Sequence, residues 1–459
     1  MKTLLIAGDR SGSGKTSITL AITAILSRRY TVQTFKVGMD YIDPSYLTGV
    51  SGRPCRNLDT FILTEEENRA IFYHGSAGAD IAIVEGVRGL YEGAESTEDI
   101  GSTASVAKLL NLPVILVIDA RSITRSAAAI ISGFKAFDKD IRITGIILNN
   151  IRGEGHLKKI TEAINYYCNI PVIGAVPRVE DLDLTMRHLG LVPYEEGIRD
   201  QPFLNKIESI VEMICENLDL DLLLSLADDR DNPGSYEIFE RSDVYSGVKI
   251  AIARDEVFNF YYSDLFSLLK NRGSDLVFFS PVRDTLPDAD GYILGGGYPE
   301  YHGKELAENS AMLEDLRRVS ADNRPMLAEC GGLMYLCREI RVEKAFSGLV
   351  KGSCFGMTGI IHADCTIPER RVVAYVTGTT TDQCPFSHAS PLQIRGHAFH
   401  YSNIHPDKGV SYAYHLNRGY GIEASLDGIV TGKTIGSYTH IHPVASGDFL
   451  SAFMNECRE

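Results

Sequence analysis

The sequence predicts two α/β domains in tandem, each built on a largely parallel sheet with helices on both faces. Three observations carry this expectation. At 459 residues the chain is too long for one ordinary core. Its first part alternates continuous apolar runs with helix-length segments, the pattern of parallel strands buried on both faces. After an acidic, turn-rich stretch from Asp219 to Gly247, the same alternation starts again. The expected boundaries are a first domain over 1–230, a linker over 231–247 and a second domain over 248–459.

In chain order, strands are expected at Thr3–Ala7, Thr31–Lys36, Ile81–Glu85, Pro113–Asp119, Ile143–Asn149 and Pro171–Ala175. Helices such as Ser17–Arg28 and Thr124–Phe137 fall between them. Ligands of such sheets bind at the carboxyl ends of the strands. Those ends carry Gly8, Lys36, Glu85, Asp119 and Asn149, so one face collects the polar groups. The second half continues with Lys249–Ala253, Gly291–Leu294, Pro325–Glu329 and a tail of short strands separated by turn residues.

Composition narrows the function. A 44% hydrophobic, 23% charged chain suits a globular enzyme with no disordered tract. The net charge of −15 argues against nucleic acid and anionic membranes as partners, so an anionic substrate must meet a local cluster of Arg and Lys. The longest apolar stretch, Leu112 to Ile118, falls well short of a membrane span. Met1 to Ile6 is cut short by Asp9-Arg10 and reads as a first strand instead of a signal peptide. Nine cysteines without a Cys-x-x-Cys pair fit a reducing cytoplasm, with eight packed and one, Cys330, placed to react.

Gly8 to Thr16 reads GDRSGSGKT, a glycine-rich turn between a strand and a helix. Backbone N–H groups of Gly12, Ser13 and Gly14 face the phosphates of a nucleotide, Lys15 adds a point charge and the Thr16 hydroxyl meets Mg²⁺. The expected cofactors are ATP and Mg²⁺. The usual spacing would put the first glycine at Asp9, and the longer loop is similar to that of dethiobiotin synthetase-like P-loop proteins. Phe35 to Leu47, FKVGMDYIDPSYL, then places Lys36 at a strand end on the nucleotide face, as a further nucleotide-binding residue, and Asp40 and Asp43 around a turn fixed by Pro44. Glu85 ends an otherwise apolar strand. Carboxylates so placed suit Mg²⁺, and Thr16, Asp43 and Glu85 are the expected ligands; the rival reading is that Asp43 and Asp59 merely cap helices.

The second chemical centre is MLAECGGLMYL, Met326 to Leu336. A short strand, then Cys330, then Gly331-Gly332 and a helix describe a sharp bend that lifts a thiol out of the sheet. A helix N-terminus there is expected to lower the thiol pKa. Gly295-Gly296-Gly297 offers N–H donors for an oxyanion, with Gly296 and Gly297 the candidates. Candidate bases are His440 and His442 in GSYTHIHP. His397-x-x-His400 lacks a completing Cys or Asp cluster, so packing or substrate contact is expected there, not zinc.

Taken together, KVGMDYIDPSYL, GRPCRNLD, VEGVRGLYEG, GSTASVAKLL and MRHLGLV resemble the cobyrinate a,c-diamide synthases, from Gly8 to His442. The resemblance implies a P-loop amidoligase domain followed by a class I glutamine amidotransferase-like α/β domain. It also implies ATP- and glutamine-dependent amidation of the a and c acetates of a tetrapyrrole polycarboxylate through an acyl phosphate. In class I amidotransferases the base is followed two residues later by glutamate; here that position is His442, so His440 is the expected base and the orienting acid is missing. Weak basal glutaminase activity is therefore expected. Asp40, Tyr41, Arg53, Arg56, Arg88, Arg187 and His188 are the candidates for holding the substrate. Met39, Leu47 and Arg88 depart from the common family residues, which leaves open nickel-sirohydrochlorin, the substrate of archaeal members, in place of cobyrinate. A homodimer is also left open.

Rival readings are cobyric acid synthase, CTP synthase and a MinD-like regulatory ATPase. Tyr41-Ile42-Asp43-Pro44 and Arg187-His188-Leu189-Gly190 argue against the first two. Arg10, at the signature-lysine position of the partitioning ATPases, and the Cys330/His440 pair argue against the third.

Overall fold

The computed structural model describes residues 1–178, 186–187, 190–191, 194–197, 201–231, 236–242, 244–388 and 390–459, with the backbone alone at 186–187, 190–191 and 195–196. The chain divides into two compact units, Met1–Tyr236 and Glu237–Glu459. Of the stretch expected as a linker, 232–235 and 243 lie outside the described residues, and Glu237–Phe239 forms a short 3-10 turn.

Unit 1 is a parallel sheet in the order β3-β2-β4-β1-β5-β6-β7. Its strands are β1 (Lys2–Gly8), β2 (Val32–Val37), β3 (Arg56–Leu58), β4 (Ile81–Glu85), β5 (Val114–Asp119), β6 (Ile143–Ile151) and β7 (Val172–Pro177). The helices between them are α1 (Lys15–Ser27), α2 (Ile42–Ser51), α3 (Glu65–Gly75), α4 (Thr103–Leu109), α5 (Arg125–Phe137) and α6 (Glu154–Cys168). β2, β4 and β5 are buried along their whole length because helices cover both faces, which is why they read as unbroken apolar runs. β3, three residues long and begun by an arginine, gave no such signal. Helix starts follow local chemistry: Thr64 and Glu67 form a reciprocal capping box on α3, and Ser102 caps α4. The sheet order puts β4 and β5 on either side of β1, so the loop after β1 sits where the strand order reverses. Asp228–Asp229 adds a short antiparallel pairing to β1.

Unit 2 holds a ten-stranded mixed sheet. Its parallel half runs Asp275–Phe279, Lys249–Ala253, Gly291–Leu294, Met326–Glu329 and Thr434–Ser437. Its antiparallel half, Leu426–Thr431, Ser411–Arg418, Val372–Thr380, Gln393–His400 and His440–Ile441, is the tail of short strands. The strand ending in Glu329 is thus internal, with Cys330 at its carboxyl end. Among the described residues no helix is long and apolar enough to cross a membrane.

Candidate active sites

In unit 1 the loop between β1 and α1 needs its glycines. Gly12 and Gly14 have φ of 78° and 90°, in the left-handed region. A Cβ on Gly14 would lie 2.0 Å from Asn149 Nδ2. That amide, at the end of β6, donates to Ser13 O at 2.9 Å and pins the loop.

Lys36 and Glu85 are register partners at the carboxyl ends of adjacent strands β2 and β4, which forces their side chains together. Glu85 Oε1 accepts from Lys15 Nζ at 2.9 Å, Thr16 Oγ1 at 2.8 Å and Lys36 Nζ at 2.8 Å. Lys36 Nζ also donates to Asp43 Oδ2 at 2.5 Å, which lies 3.2 Å from Thr16 Oγ1. Asp40 Oδ2 is 3.9 Å from the same ammonium. Burial opposes the Lys36 charge, yet Asp43, Glu85 and Asp40 outweigh it and hold Lys36 well above the ordinary lysine range. Asp43 is held down to about 2, against burial, by Lys36 and Lys15. Asp40 is pushed up by burial and by Asp43, while burial and then the Lys36 charge lower Lys15. Glu85 Oε2 is buried and has no hydrogen-bond partner. An orphaned carboxylate oxygen beside a second carboxylate and a hydroxyl is a hard-cation donor set, so the expected Mg²⁺ ligands fit that ion.

The expected substrate residues separate. Asp40 Oδ1 accepts from Ile42 N at 2.8 Å and sets the start of α2, with half-buried Tyr41 at the cap position. Asn57 Nδ2 fixes that turn by donating to Gly38 O and Asp40 O, both at 2.8 Å. Arg88 is exposed with φ 49°, and its carbonyl approaches Gly8, so it stands beside the loop. Arg53 and Arg56 do not join them. Arg53 donates to Gln33 Oε1 at 3.0 Å and to Gly75 O and Ala77 O at 2.9 Å each, tying the end of α3 to the start of β2. Arg56 lies against Gly75 in the last turn of α3. Both side chains thus touch the end of α3, and Arg56 stands in register with Phe35, one residue before Lys36. Arg187 is described only through its backbone pairing with Gly190, and His188 lies outside the described residues.

In unit 2 Cys330 adopts φ 49°, ψ −98° between its strand and helix Gly331–Leu336, a strained bend of the kind that cost about 1–3 kcal/mol. Its N–H donates to Ser437 O at 2.7 Å, and Gly332 N donates to Gly295 O at 3.0 Å, hanging the bend from neighbouring strand ends. A Cβ on Gly331 would lie 2.9 Å from Gly297 N, and one on Gly332 would lie 2.3 Å from Leu294 O. The Gly297 amide therefore borders the bend, and Gly296 lies under the His440 ring, 2.4 Å from Cε1 if it bore a Cβ.

The thiol is not activated as expected. Burial, then Glu300, push Cys330 well above the ordinary thiol range, and the adjacent Gly331 N–H does not outweigh them. The following helix has only six residues. Burial and then His400 lower His440 to about 3, and burial lowers His442 to about 3. His440 stacks on His397 with ring centroids 4.9 Å apart, and Asp427 fixes the preceding backbone by accepting from Tyr438 N (3.1 Å) and Thr439 N (2.9 Å). A carboxylate lies near the base: Glu329 Oε2 is 3.8 Å from His440 Nδ1. It comes from the residue before the nucleophile, a position the sequence displayed openly in Glu329-Cys330. His397 bonds Tyr262 Oη at 2.8 Å while His400 stacks on Tyr438, so the two do not share a site. Among the described residues no group of three or more His, Cys, Asp or Glu could hold a metal.

Two family models match the chain: a CobQ/CobB/MinD/ParA nucleotide binding domain over 4–192 and a CobB/CobQ-like glutamine amidotransferase domain over 249–447. The two units are accordingly a P-loop parallel sheet and a class I glutamine amidotransferase-like α/β domain. A cobyrinate a,c-diamide synthase of Methanosarcina barkeri is 44% identical, covering 99% of this chain and 96% of the relative. Those of Methanosarcina acetivorans (44%, covering 96% and 92%) and Methanocaldococcus jannaschii (41%, covering 99% of each) match similarly.

Proposed function

The chain belongs to the cobyrinate a,c-diamide synthase family, a carbon–nitrogen ligase with glutamine as amide donor, and from that premise we propose that it amidates the a and c acetates of cobyrinate through acyl phosphates. The observation that carries the reading is the joining of Lys15, Thr16, Lys36, Asp43 and Glu85 beside a phosphate loop, in a chain that also builds the Cys330 bend.

In unit 1, loop N–H groups and Lys15 hold the ATP phosphates while a substrate carboxylate oxygen attacks the γ-phosphorus and ADP leaves. Thr16, Asp43 and Glu85 would hold Mg²⁺, which when bound offsets charge on the transferring phosphoryl group. Lys36 stays with Asp43 and keeps the acidic turn in place. Arg88 and Tyr41 face the polycarboxylate. In unit 2, His440 takes the Cys330 proton as sulfur attacks the glutamine amide carbon, with the oxyanion near Gly296 and Gly297. The C–N bond breaks, His440 returns the proton, and ammonia leaves; water then releases glutamate from the thioester. Ammonia attacks the acyl phosphate carbon and phosphate departs, giving the amide.

The test offers cobyrinate and nickel-sirohydrochlorin separately with ATP, Mg²⁺ and glutamine, and reads products by mass. Two sequential amidations of cobyrinate are expected. Exclusive use of the nickel compound would replace the substrate; no amidation of either would overturn the reading. Lys15→Ala should lose ligation but retain glutamine hydrolysis, and Cys330→Ala should lose glutamine-supported but keep ammonia-supported ligation.

A further inference from the structure

Resting on Cys330 and His440 as nucleophile and base, we infer that Glu329 is the positioning acid for His440, in place of a carboxylate two residues after the histidine. Glu329 is the last residue of the nucleophile strand and registers with Ser437 on the strand that leads to His440. Its Oε1 accepts from Ile441 N at 3.0 Å, and its Oε2 lies 3.8 Å from His440 Nδ1. One carboxylate thus joins the segment that carries the thiol to the segment that carries the base. Distances of this kind are long in empty sites and tighten when substrate arrives.

The position that ordinarily supplies the acid cannot do so. His442 Nδ1 accepts from Val444 N at 3.3 Å, its ring packs 4.3 Å from Tyr262, and as a neutral imidazole it offers no negative charge to an imidazolium. Leu327 and Glu329 share a strand face and line a mostly apolar cavity of about 40 Å³ with Tyr261, Tyr262 and Ile441. In that surrounding a carboxylate–imidazolium interaction is screened little.

The titratable groups that feel Glu329 include His440, Asp427, Tyr261, Tyr414 and Cys330. Burial and then Asp427 push its carboxyl up to about 8, against the Ile441 N–H. These shifts favour a protonated Glu329 and Cys330 beside a neutral His440 at neutral pH. When His440 takes the thiol proton, the resulting imidazolium needs Glu329 ionised. Glu329 itself takes no proton from sulfur.

The experiment measures glutamine hydrolysis by the full chain against pH for the wild type, Glu329→Gln, Glu329→Asp and Cys330→Ser, with thermal melts alongside. The wild-type kcat/KM for glutamine should rise through a limb near pH 8. Glu329→Gln should lower kcat about 10²-fold with little change in KM, and should lose the limb. Glu329→Asp, which keeps the charge, should keep the limb, and it carries the test if the Gln variant does not fold. A purely structural Glu329 predicts otherwise: Gln still accepts from Ile441 N–H, so wild-type kcat and limb in Glu329→Gln overturn the inference. Hydrolysis that persists in Cys330→Ser, or is absent from the wild type, overturns the nucleophile reading beneath it.

Discussion

Replacing Lys36 by Met tests whether the charge cluster of unit 1 is a balanced unit. Lys36 is 2% exposed, and its ammonium lies 2.5 Å from Asp43 and 2.8 Å from Glu85. Met fills nearly the same volume, so cavity formation adds little. What changes is charge: Asp43 loses its ion-pair partner, and Glu85 keeps only Lys15. Removing one partner of a buried ion pair costs about 3–5 kcal/mol, because the remaining charge is left desolvated. For a unit of this size each kcal/mol moves the melting midpoint by roughly 2–4 °C, so a drop of roughly 6–20 °C is expected. Differential scanning calorimetry at pH 7.5 without divalent ions measures it. Millimolar Mg²⁺ should recover part of the loss in Lys36→Met and less in the wild type, since the freed carboxylates are then available to the ion. A midpoint within 2 °C of wild type, with no Mg²⁺ dependence, would refute the reasoning; the carboxylates would then be solvated or protonated.

Unit 2 should unfold in mild acid. His400, His440 and His442 lie at about 4, 3 and 3, and His397 well below its ordinary value, all through burial first, so the unfolded chain binds their protons below pH 6.5 while the folded chain does not. Glu329 and Asp427, both raised, work the opposite way, leaving two to three net protons, or roughly 3–4 kcal/mol lost per pH unit below 6.5; tyrosine fluorescence between pH 7 and 4.5 follows it, and a flat profile counts against four neutral histidines. Gly332→Ala sets a Cβ 2.3 Å from Leu294 O, and the bend must shift; glutamine hydrolysis should fall at least about 10²-fold, with ammonia-supported ligation retained. Asn149→Ala removes the bond to Ser13 O; at about 1 kcal/mol per hydrogen bond the KM for ATP should rise about fivefold, as steady-state ligation would show.

Much of this was legible because the chemistry is local in sequence. The phosphate loop and the Cys330 bend each need glycines, a nucleophile or cation, and a strand and helix on either side, all within a dozen residues. Continuous burial of β4 and β5 made the strands visible. Arg53 and Arg56 were singled out because an arginine near acidic motifs reads as an anion ligand. What they touch, Gln33 and the end of α3, depends on a packing around the three-residue β3 that periodicity cannot detect. Glu329 was missed because the acid was sought at a fixed spacing after the histidine. The partner depends on which strands are neighbours, and here Met326–Glu329 lies beside Thr434–Ser437.

The two sites share a design in which charges are compensated until substrate replaces the compensation. In unit 1, one oxygen of Glu85 takes three donors, among them the lysine that must contact phosphate. Nucleotide therefore exchanges a buried ammonium–carboxylate contact for an ammonium–phosphate one, and the freed carboxylate is left to be met by a cation. On the proposed reading nucleotide and metal binding would then be coupled through Lys15 and Glu85, since each would disturb the same pair. In unit 2 compensation is by protonation: a thiol raised, a histidine lowered and a glutamate raised together favour an uncharged trio. Each arrangement makes an uncompensated charge in the site costly. On the proposed reading, idle hydrolysis of ATP and of glutamine would be suppressed by the same burial that, once substrate supplies the missing charge, would strengthen the interactions that drive the reaction.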